Sequence, residues 1–199
     1  MRSCLQLARI ALKHAQTAKK LNVGKIVMGE CGHAYRGAVY DGPRWLGWTK
    51  PPIPMVHAVE YYYELIKSGR LKIARKIEEP VTVQDPCNIV RGRGLHDKLR
   101  YVVNAICEDF RDMDPRHEHN YCCQAGGGLI NCGPPWKLSR MKSNKVKADQ
   151  IAETGAHTVI TPCHNCHSGI EDIIGYYKLG CHVSFISEML VKTIEMPEA

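Results

Sequence analysis

Apolar residues recur at helical spacing over the first twenty residues of the chain. This period predicts an amphipathic helix from Met1 to about Leu21. Later apolar positions predict helices at about 56–66, 95–110 and 141–154, and shorter apolar runs predict strands at 25–28, 81–84, 118–121, 157–161 and 180–183. The positions that define the first helix are Leu5, Ala8, Leu12, Ala15 and Leu21.

The predicted strands alternate with the predicted helices. This order is typical of an α/β fold with parallel strands. In such sheets, ligands bind beyond the carboxyl ends of the strands. The passage between the strand at 25–28 and the helix at 56–66 is rich in glycine, proline and tryptophan, so we expect a surface loop there that is available to a partner.

Two segments of the chain resemble each other at a shift of 132 residues. Residues 24–35 align with residues 156–167, and in this alignment Cys31 falls on Cys163, whereas Ala34 falls on Cys166. Any two helix–strand–turn units look alike to some degree, but the coinciding cysteine favours a true repeat. The sequence then reads as one complete unit preceded by the tail of a degenerate one, like the C-terminal portion of a longer or split protein.

Composition points to a reducing compartment. Ten cysteines in 199 residues lie below the density of secreted disulfide scaffolds, about 8–10%, and no apolar signal segment precedes them. No window approaches the roughly 18 apolar residues of a membrane span. We therefore expect a cytoplasmic protein whose clustered cysteines are metal ligands or catalytic groups.

The formal net charge of +7 allows a nucleic acid, an anionic membrane surface or an acidic protein as partner. Much of the excess lies in one local run. Without interleaved aromatic residues or a recognition motif, such a run favours a solvated helix face over a nucleic-acid patch. An acidic protein partner stays open. The run consists of Lys137, Arg140, Lys142, Lys145 and Lys147.

Five cysteines form the pattern C-x34-C-C-x39-C-x-x-C, namely Cys87, Cys122, Cys123, Cys163 and Cys166. Structural zinc takes four ligands and leaves a thiol over, and a redox dithiol uses only the C-x-x-C pair. Iron–sulfur ligation recruits thiolates from several segments and is the one interpretation that employs all five. The other cysteines are expected to be structural, except Cys31, which borders a site-like loop; they are Cys4, Cys107, Cys132 and Cys181.

Three stretches carry a family resemblance. Asp85-Pro86-Cys87, the Cys122-Cys123 pair followed by glycines, and Cys163-x-x-Cys166 resemble the cysteine-rich CCG domain of the heterodisulfide reductase family. Within it, the segments 29–34, 84–88 and 161–169 are most similar to catalytic K subunits of dissimilatory sulfite reductase-linked membrane redox complexes. The chain departs from the family pattern at Gln124, where glycine commonly follows the cysteine pair.

The resemblance implies a noncubane [4Fe-4S] cluster held by the five cysteines at a pseudo-twofold interface between two Rossmann-like halves, beyond the carboxyl ends of their strands. Residues 1–80 are then the remnant of a degenerate first cysteine-rich repeat and residues 81–199 a complete one, together forming one cluster-binding domain. Cys122 and Cys123 are the expected catalytic cysteines. Cleavage of the substrate disulfide also consumes protons, for which His164 and His167 are candidate donors. The possible second shell consists of Cys31, His33, Gly126 and Gly127.

The resemblance also implies a multi-subunit context in anaerobic sulfur metabolism. The chain has no C-x-x-C-x-x-C-x-x-x-C-P run, so electrons must arrive from other iron–sulfur or membrane redox subunits, and a small protein is expected to carry the substrate disulfide or trisulfide. We expect a peripheral position on the cytoplasmic face of a membrane complex, without a membrane span or nucleic acid. The alternatives are an electron relay without its own substrate and a zinc-bearing structural module.

Overall fold

A computed structural model of the chain describes residues 2–195; Met1, the predicted start of the first helix, lies outside this range. The first part of the chain contains α1 (Arg2–Lys20), β1 (Ile26–Met28), α2 (Gly32–Arg36), a π-helix (Gly37–Asp41), α3 (Gly42–Trp45), β2 (Met55–His57) and α4 (Ala58–Lys67). The second part contains β3 (Val81–Val83), α5 (His96–Ile106), 3-10 turns at His117–His119 and Leu129–Asn131, α6 (Pro134–Ser143), α7 (Lys145–Thr154), β4 (Thr158–Thr161), α8 (His164–Tyr177), β5 (His182–Phe185) and α9 (Ile186–Val191).

The strands form two parallel sheets. β1 pairs with β2 so that Ile26 lies opposite Met55, and β4 lies between β3 and β5 in a three-stranded sheet. In that sheet Thr158 lies opposite Val81 on one side and His182 on the other. The prediction of an α/β fold with parallel strands is confirmed.

The order of elements is similar in the two sheets. β1 leads through helices to β2 and α4, and β4 leads through α8 to β5 and α9. Both final helices begin with the same contact: Glu60 Oε2 accepts from the backbone N–H of His57 at 3.0 Å, and Glu188 Oε2 accepts from that of Phe185 at 2.9 Å. A duplicated unit requires such a match. The pseudo-twofold relation of the halves stays a prediction.

The central strand β4 is buried on both faces, as is usual in parallel sheets. Val159 faces a core formed with α7 and α8, and the next residue, Ile160, faces a second core formed with α5 and α9. Because successive side chains of a strand point to opposite sides, one short strand contributes to both cores. Cys123, Cys163 and Cys166 belong to the core beneath α7 and α8.

The glycine-, proline- and tryptophan-rich passage at 42–54 begins with α3 and continues as turns and irregular chain, so the prediction of a surface loop there is wrong over α3. Gly42 and Pro43 are buried, since α3 packs closely on α1. A Cβ on Gly42 would lie 2.6 Å from the Cβ of Ala11 and 2.7 Å from the carbonyl oxygen of Leu7. Proline is well suited to the first turn of a helix, where its missing N–H has no partner to lose.

The first helix buries its alanines and not its leucines. The predicted positions Ala8 and Ala15 are buried together with Ala11 and Ala18, whereas Leu5 and Leu12 are exposed. Small residues suit this helix because α3 approaches it closely. Nowhere in residues 2–195 does a helix have both the length and the apolar character needed to cross a membrane.

Several local predictions differ from the structure. The strand predicted at 118–121 is a 3-10 turn followed by extended chain, and the helix predicted at 141–154 is two helices that meet at Asn144. β2 precedes the helix predicted from residue 56, and α9 was not predicted at all. These elements have only three to six residues, too few to display a period.

The basic run is not a solvated helix face. Lys142 and Lys145 are exposed, but Lys147 has no exposed surface and Arg140 is 4% exposed. Arg140 forms an ion pair with Asp172 of α8. Arg140 and Lys147 are about two helical turns apart, so both lie on the face that packs inward.

We expect Gly42→Ala to destabilise the fold by about 1–2 kcal/mol. The added methyl overpacks the contact between α1 and α3, at a cost of about 1–3 kcal/mol, and a higher helix propensity returns up to about 1 kcal/mol. Urea unfolding measures the difference.

The matched control is Gly175→Ala in α8, where an added Cβ meets no atom within 4 Å. This variant should gain about 0.5–1 kcal/mol from helix propensity alone. Equal stabilisation of both variants would contradict the tight contact at Gly42.

Candidate metal centre

All five cysteines of the sequence pattern line one cavity of about 460 Å³. Cys87 follows β3, Cys122 and Cys123 lie in the loop after the first 3-10 turn, and Cys163 and Cys166 lie at the junction of β4 and α8. The cavity therefore opens beyond the carboxyl ends of the strands, as expected for a parallel sheet. Cys123, Cys163 and Cys166 are buried, whereas Cys87 and Cys122 are exposed.

Cys163 is the residue that precedes the first turn of α8, with extended backbone angles. The Cys166 thiol and the backbone N–H groups of Cys166 and Gly32 lower the pKa of Cys163 to about 6, against the opposite effect of burial. A helix N-terminus favours negative charge for the same reason. Cys163 is therefore prepared to act as a thiolate, the form that binds metals.

The neighbouring cysteines Cys122 and Cys123 lie in different environments, since Cys122 is exposed and Cys123 is buried. The sulfurs of Cys123 and Cys166 lie 3.3 Å apart. Hydrogen bonds from the thiols of Cys122 and then Cys166 hold the pKa of Cys123 well below its usual range, whereas the pKa of each donor thiol is raised. The buried sulfur of Cys123 thus carries the charge that its neighbours stabilise.

The turn after the pair depends on Gln124. This residue has a φ of +53°, a left-handed conformation that costs an L-residue roughly 1–2 kcal/mol. Its backbone N–H faces the Cys122 sulfur at 3.2 Å, and its side-chain oxygen accepts from the Ser143 hydroxyl at 2.7 Å. The chain therefore makes the turn that glycine commonly supplies at this position, with a side-chain contact in compensation.

A buried ion network anchors the segment that carries Cys87. Both carboxylate oxygens of Asp85 accept from the Arg100 guanidinium, at 2.7 and 2.8 Å, and Arg100 also binds Asp112. The backbone N–H of His117 donates to Asp85 at 2.8 Å. The pKa of Cys87 is raised, first by burial and then by the charges of neighbouring cysteines.

Two close contacts fix the glycine-rich loop. A Cβ on Gly169 of α8 would lie 2.7 Å from the Cβ of Ala125 and 2.8 Å from the carbonyl oxygen of Cys123. A Cβ on Gly126 would lie 2.9 Å from the ring of His33. The loop therefore fits between α8 and the first part of the chain.

His33 joins two sides of the cavity. The backbone N–H of Gly127 donates to His33 Nε2 at 3.3 Å, and His33 Nδ1 lies 2.9 Å from the Asn165 side-chain amide. The predicted second-shell residues His33, Gly126 and Gly127 all line the cavity.

Three other candidates lie elsewhere. Cys31 precedes α2, accepts from the backbone N–H of Ala34 at 3.5 Å and does not line the cavity. His164 and His167 stack on Phe185, with centroids 6.1 and 4.4 Å apart, and neither lines the cavity of the cysteines. The catalytic role predicted for these two histidines has no support in this geometry.

Sequence reasoning missed Asn165 and Asn120, whereas Arg91, which follows Cys87, is a candidate to neutralise charge at the site. Asn165 lies within the C-x-x-C motif, so its position there was a usable signal. Asn120 and Arg91 line a small pocket beside the cysteines, and Arg91 donates to the Glu118 and Asn120 carbonyl oxygens at 2.6 and 2.9 Å. No local pattern marked Asn120, because its role depends on long-range contacts.

The donor set fits an inorganic core with several metal atoms. In the part of the chain that the structure describes, no three His, Cys, Asp or Glu side chains are grouped so as to hold a single metal ion. The five sulfurs are instead distributed around a cavity. Thiolates from several segments are the usual ligands of iron–sulfur clusters.

Comparison with known proteins agrees with this site. Residues 81–171 match the model of the CCG cysteine-rich domain family. The chain is 31% identical to one of the subunits of the dihydromethanophenazine:CoB–CoM heterodisulfide reductase of Methanosarcina mazei, over 92% of this chain and 44% of that protein. It is 26% identical to an Hdr-like menaquinol oxidoreductase iron–sulfur subunit of Archaeoglobus profundus, over 87% of this chain and 38% of that protein.

A third relative is an EtfAB:quinone oxidoreductase of Syntrophomonas wolfei, 24% identical over 80% of this chain and 22% of that protein. The fold and the cysteine cavity thus define a CCG cysteine-rich domain. Residues 81–171 carry this domain, and the chain as a whole is similar to subunits of heterodisulfide reductase-type proteins. It spans less than half the length of the relatives it matches.

We expect Arg100→Met to destabilise the protein by about 3–5 kcal/mol, because it leaves the buried carboxylate of Asp85 without its charge partner. Urea unfolding measures the loss.

The control is Arg116→Met. Arg116 approaches Asp112 of the same network at 4.0 Å, but its side chain is 57% exposed, so its removal should cost about 0–1 kcal/mol. Equal losses in both variants would mean that the buried network does not anchor this segment.

Proposed function

We propose that this chain is the cluster-binding part of an iron–sulfur redox subunit that reduces a protein-borne disulfide or trisulfide. Cys87, Cys122, Cys123, Cys163 and Cys166 would hold a noncubane [4Fe-4S] cluster. The observation that carries the proposal is that these five sulfurs, from three separate segments, line a single cavity. Two of the five are exposed, so a substrate has access to the same cavity.

The bound cluster would supply electrons one at a time. Reduction of a disulfide, R–S–S–R, to two thiols takes two electrons and two protons, so the site must also handle protons. His33 lies at the cavity with Nδ1 and Nε2 held by Asn165 and Gly127. It is better placed than His164 or His167 to hold a proton beside the reacting sulfurs.

Residues of this chain also control access. The core beneath α7 and α8 closes the floor of the cavity around Cys123, Cys163 and Cys166 and excludes water from that side. Arg36 lines the same cavity, where its guanidinium pairs with Asp41 at 2.9 Å. Specificity for a substrate would thus arise at the exposed rim.

The names of the relatives support the wider context. They include a heterodisulfide reductase subunit and an iron–sulfur subunit of a menaquinol oxidoreductase, so we propose that other iron–sulfur and membrane redox subunits deliver the electrons. A place at the cytoplasmic face of a membrane complex, and a role in sulfur metabolism like that of the K subunits, belong to the same proposal.

A second candidate function is electron relay without a substrate. One relative is named as an EtfAB:quinone oxidoreductase, and that name contains no sulfur substrate. A relay needs the same five ligands but no access for a substrate sulfur. The exposed Cys87 and Cys122 favour the reductase.

We expect Cys122→Ser and Cys123→Ser to lose most of the bound iron and sulfide of anaerobically purified protein, because each removes one of the thiolates lining the cavity. Iron and acid-labile sulfide analysis with the visible spectrum measures the loss. Cys181→Ser is the control, since Cys181 packs beside β5 at the edge of the core. Retained iron and an unchanged spectrum in both pair variants would refute the ligand set.

The second prediction separates reduction from relay. We expect the EPR signal of the oxidised cluster to change when a thiol carrier is added, because a substrate sulfur approaches the metal. A thioether of the same size is the control and should leave the signal unaltered. The absence of any response to the thiol would favour the relay.

A further inference from the structure

Lys147 is a fully buried lysine close to the cysteine cavity. Its ammonium donates to the side-chain oxygens of Asn120 and Gln150, and Nζ lies 3.6 Å from the sulfur of Met113. Its side chain has no exposed surface, and Met113, which it contacts, belongs with Cys123 to the core beneath α7 and α8. A buried ammonium is costly to desolvate, so its retention calls for a reason beyond packing.

Its hydrogen bonds fix the orientation of two amides. A lysine ammonium only donates, so it faces the oxygen of each amide and turns the nitrogen away. The amide nitrogen of Gln150 has an acceptor, because Nε2 donates to the Pro115 carbonyl oxygen at 2.6 Å. The amide nitrogen of Asn120 has none, because the buried Nδ2 has no partner among the described residues.

The free amide of Asn120 borders the sulfurs. Asn120 is 3% exposed and lines a small pocket of about 20 Å³ together with Cys87, Cys122, Cys123 and Cys166. A buried N–H group is expected to have an acceptor. The sulfurs that line this pocket offer one; Gln84, whose buried Oε1 also has no partner among the described residues, lines the same pocket.

The electrostatics agree with this geometry. Burial lowers the pKa of Lys147 to about 7, and negative charge on Cys123 and Cys166 acts in the opposite direction. The Lys147 charge in turn helps to lower the pKa of Cys123. Asp85 also faces Lys147, but its carboxylate is already bound by Arg100.

We propose that Lys147 acts through Asn120 as a positioning residue that sets the reduction potential of the group held by the cysteines. Its ammonium orients the Asn120 amide so that Nδ2–H donates to a sulfur of that group. Positive charge and N–H donors stabilise the more negative, reduced state, and both are known to tune iron–sulfur potentials. This inference rests on the proposed function.

The test is an EPR-monitored redox titration of anaerobically purified Lys147→Met. At the potential where the wild type is half reduced, we expect the ratio of reduced to oxidised cluster to fall at least tenfold, equivalent to 59 mV for a one-electron couple. The matched control is Lys145→Met on the same helix, where the exposed lysine pairs with Asp149; its ratio should change less than twofold.

Asn120→Ala provides the second measurement, because it keeps the buried ammonium and removes the amide. We expect the same direction of change and the loss of one exchangeable-proton coupling by pulsed ENDOR after transfer to D₂O, a signal that a packing defect alone would not remove. The Asn120→Ala measurements also test the inference if Lys147→Met fails to retain its cluster.

The outcomes separate this inference from the function on which it rests. Wild-type protein without iron would refute the proposed function and this inference together. Iron-loaded protein in which neither variant alters the ratio or the proton coupling would overturn the inference alone.

Discussion

The structure depends on stabilising negative sulfur at the edge of a hydrophobic core. Cys123 and Cys163 have lowered pKa values although both are buried. A buried charge without partners would be strongly unfavourable. Hydrogen bonds from neighbouring thiols, backbone N–H groups at the start of α8 and the Lys147 ammonium meet this requirement together. The placement of β4, α7 and α8 follows from the need to deliver these groups to one point.

The same constraint makes the first part of the chain a necessary wall of the site. The N–H of Gly32 donates to the Cys163 sulfur, and the Glu30 carbonyl oxygen accepts from the His164 N–H at 2.8 Å. The Glu30 carboxylate accepts from the first N–H groups of α9. His33 and Asn165, which contact each other, are 132 residues apart, the shift of the predicted repeat. Contact between equivalent residues is what a twofold axis would produce, so this pair supports the repeat that the sequence predicts.

Sequence could predict what depends on local pattern and chemical type. The five cysteines, and the strands that precede Cys87 and Cys163, were predictable because spacing and residue type are local properties; the strand predicted before Cys122 does not form. The orientation of a helix face was not predictable. Lys147 resembles its solvated neighbours in sequence, and only the long-range packing of α7 decides that it is buried. The same holds for His164, whose ring stacks on Phe185 although it follows Cys163 in sequence.

The five sulfurs differ in a way that suits the proposed reaction. Cys123, Cys163 and Cys166 form a floor that the core and α8 hold rigidly, whereas Cys87 and Cys122 lie on exposed loops. The pKa values of the two rim thiols are raised, but so is that of Cys166 on the floor. Exposure, and not the ease of forming the thiolate, therefore separates the rim from the floor. Under the proposed function, a substrate sulfur would approach the bound group at the rim, while the floor cysteines remain its ligands.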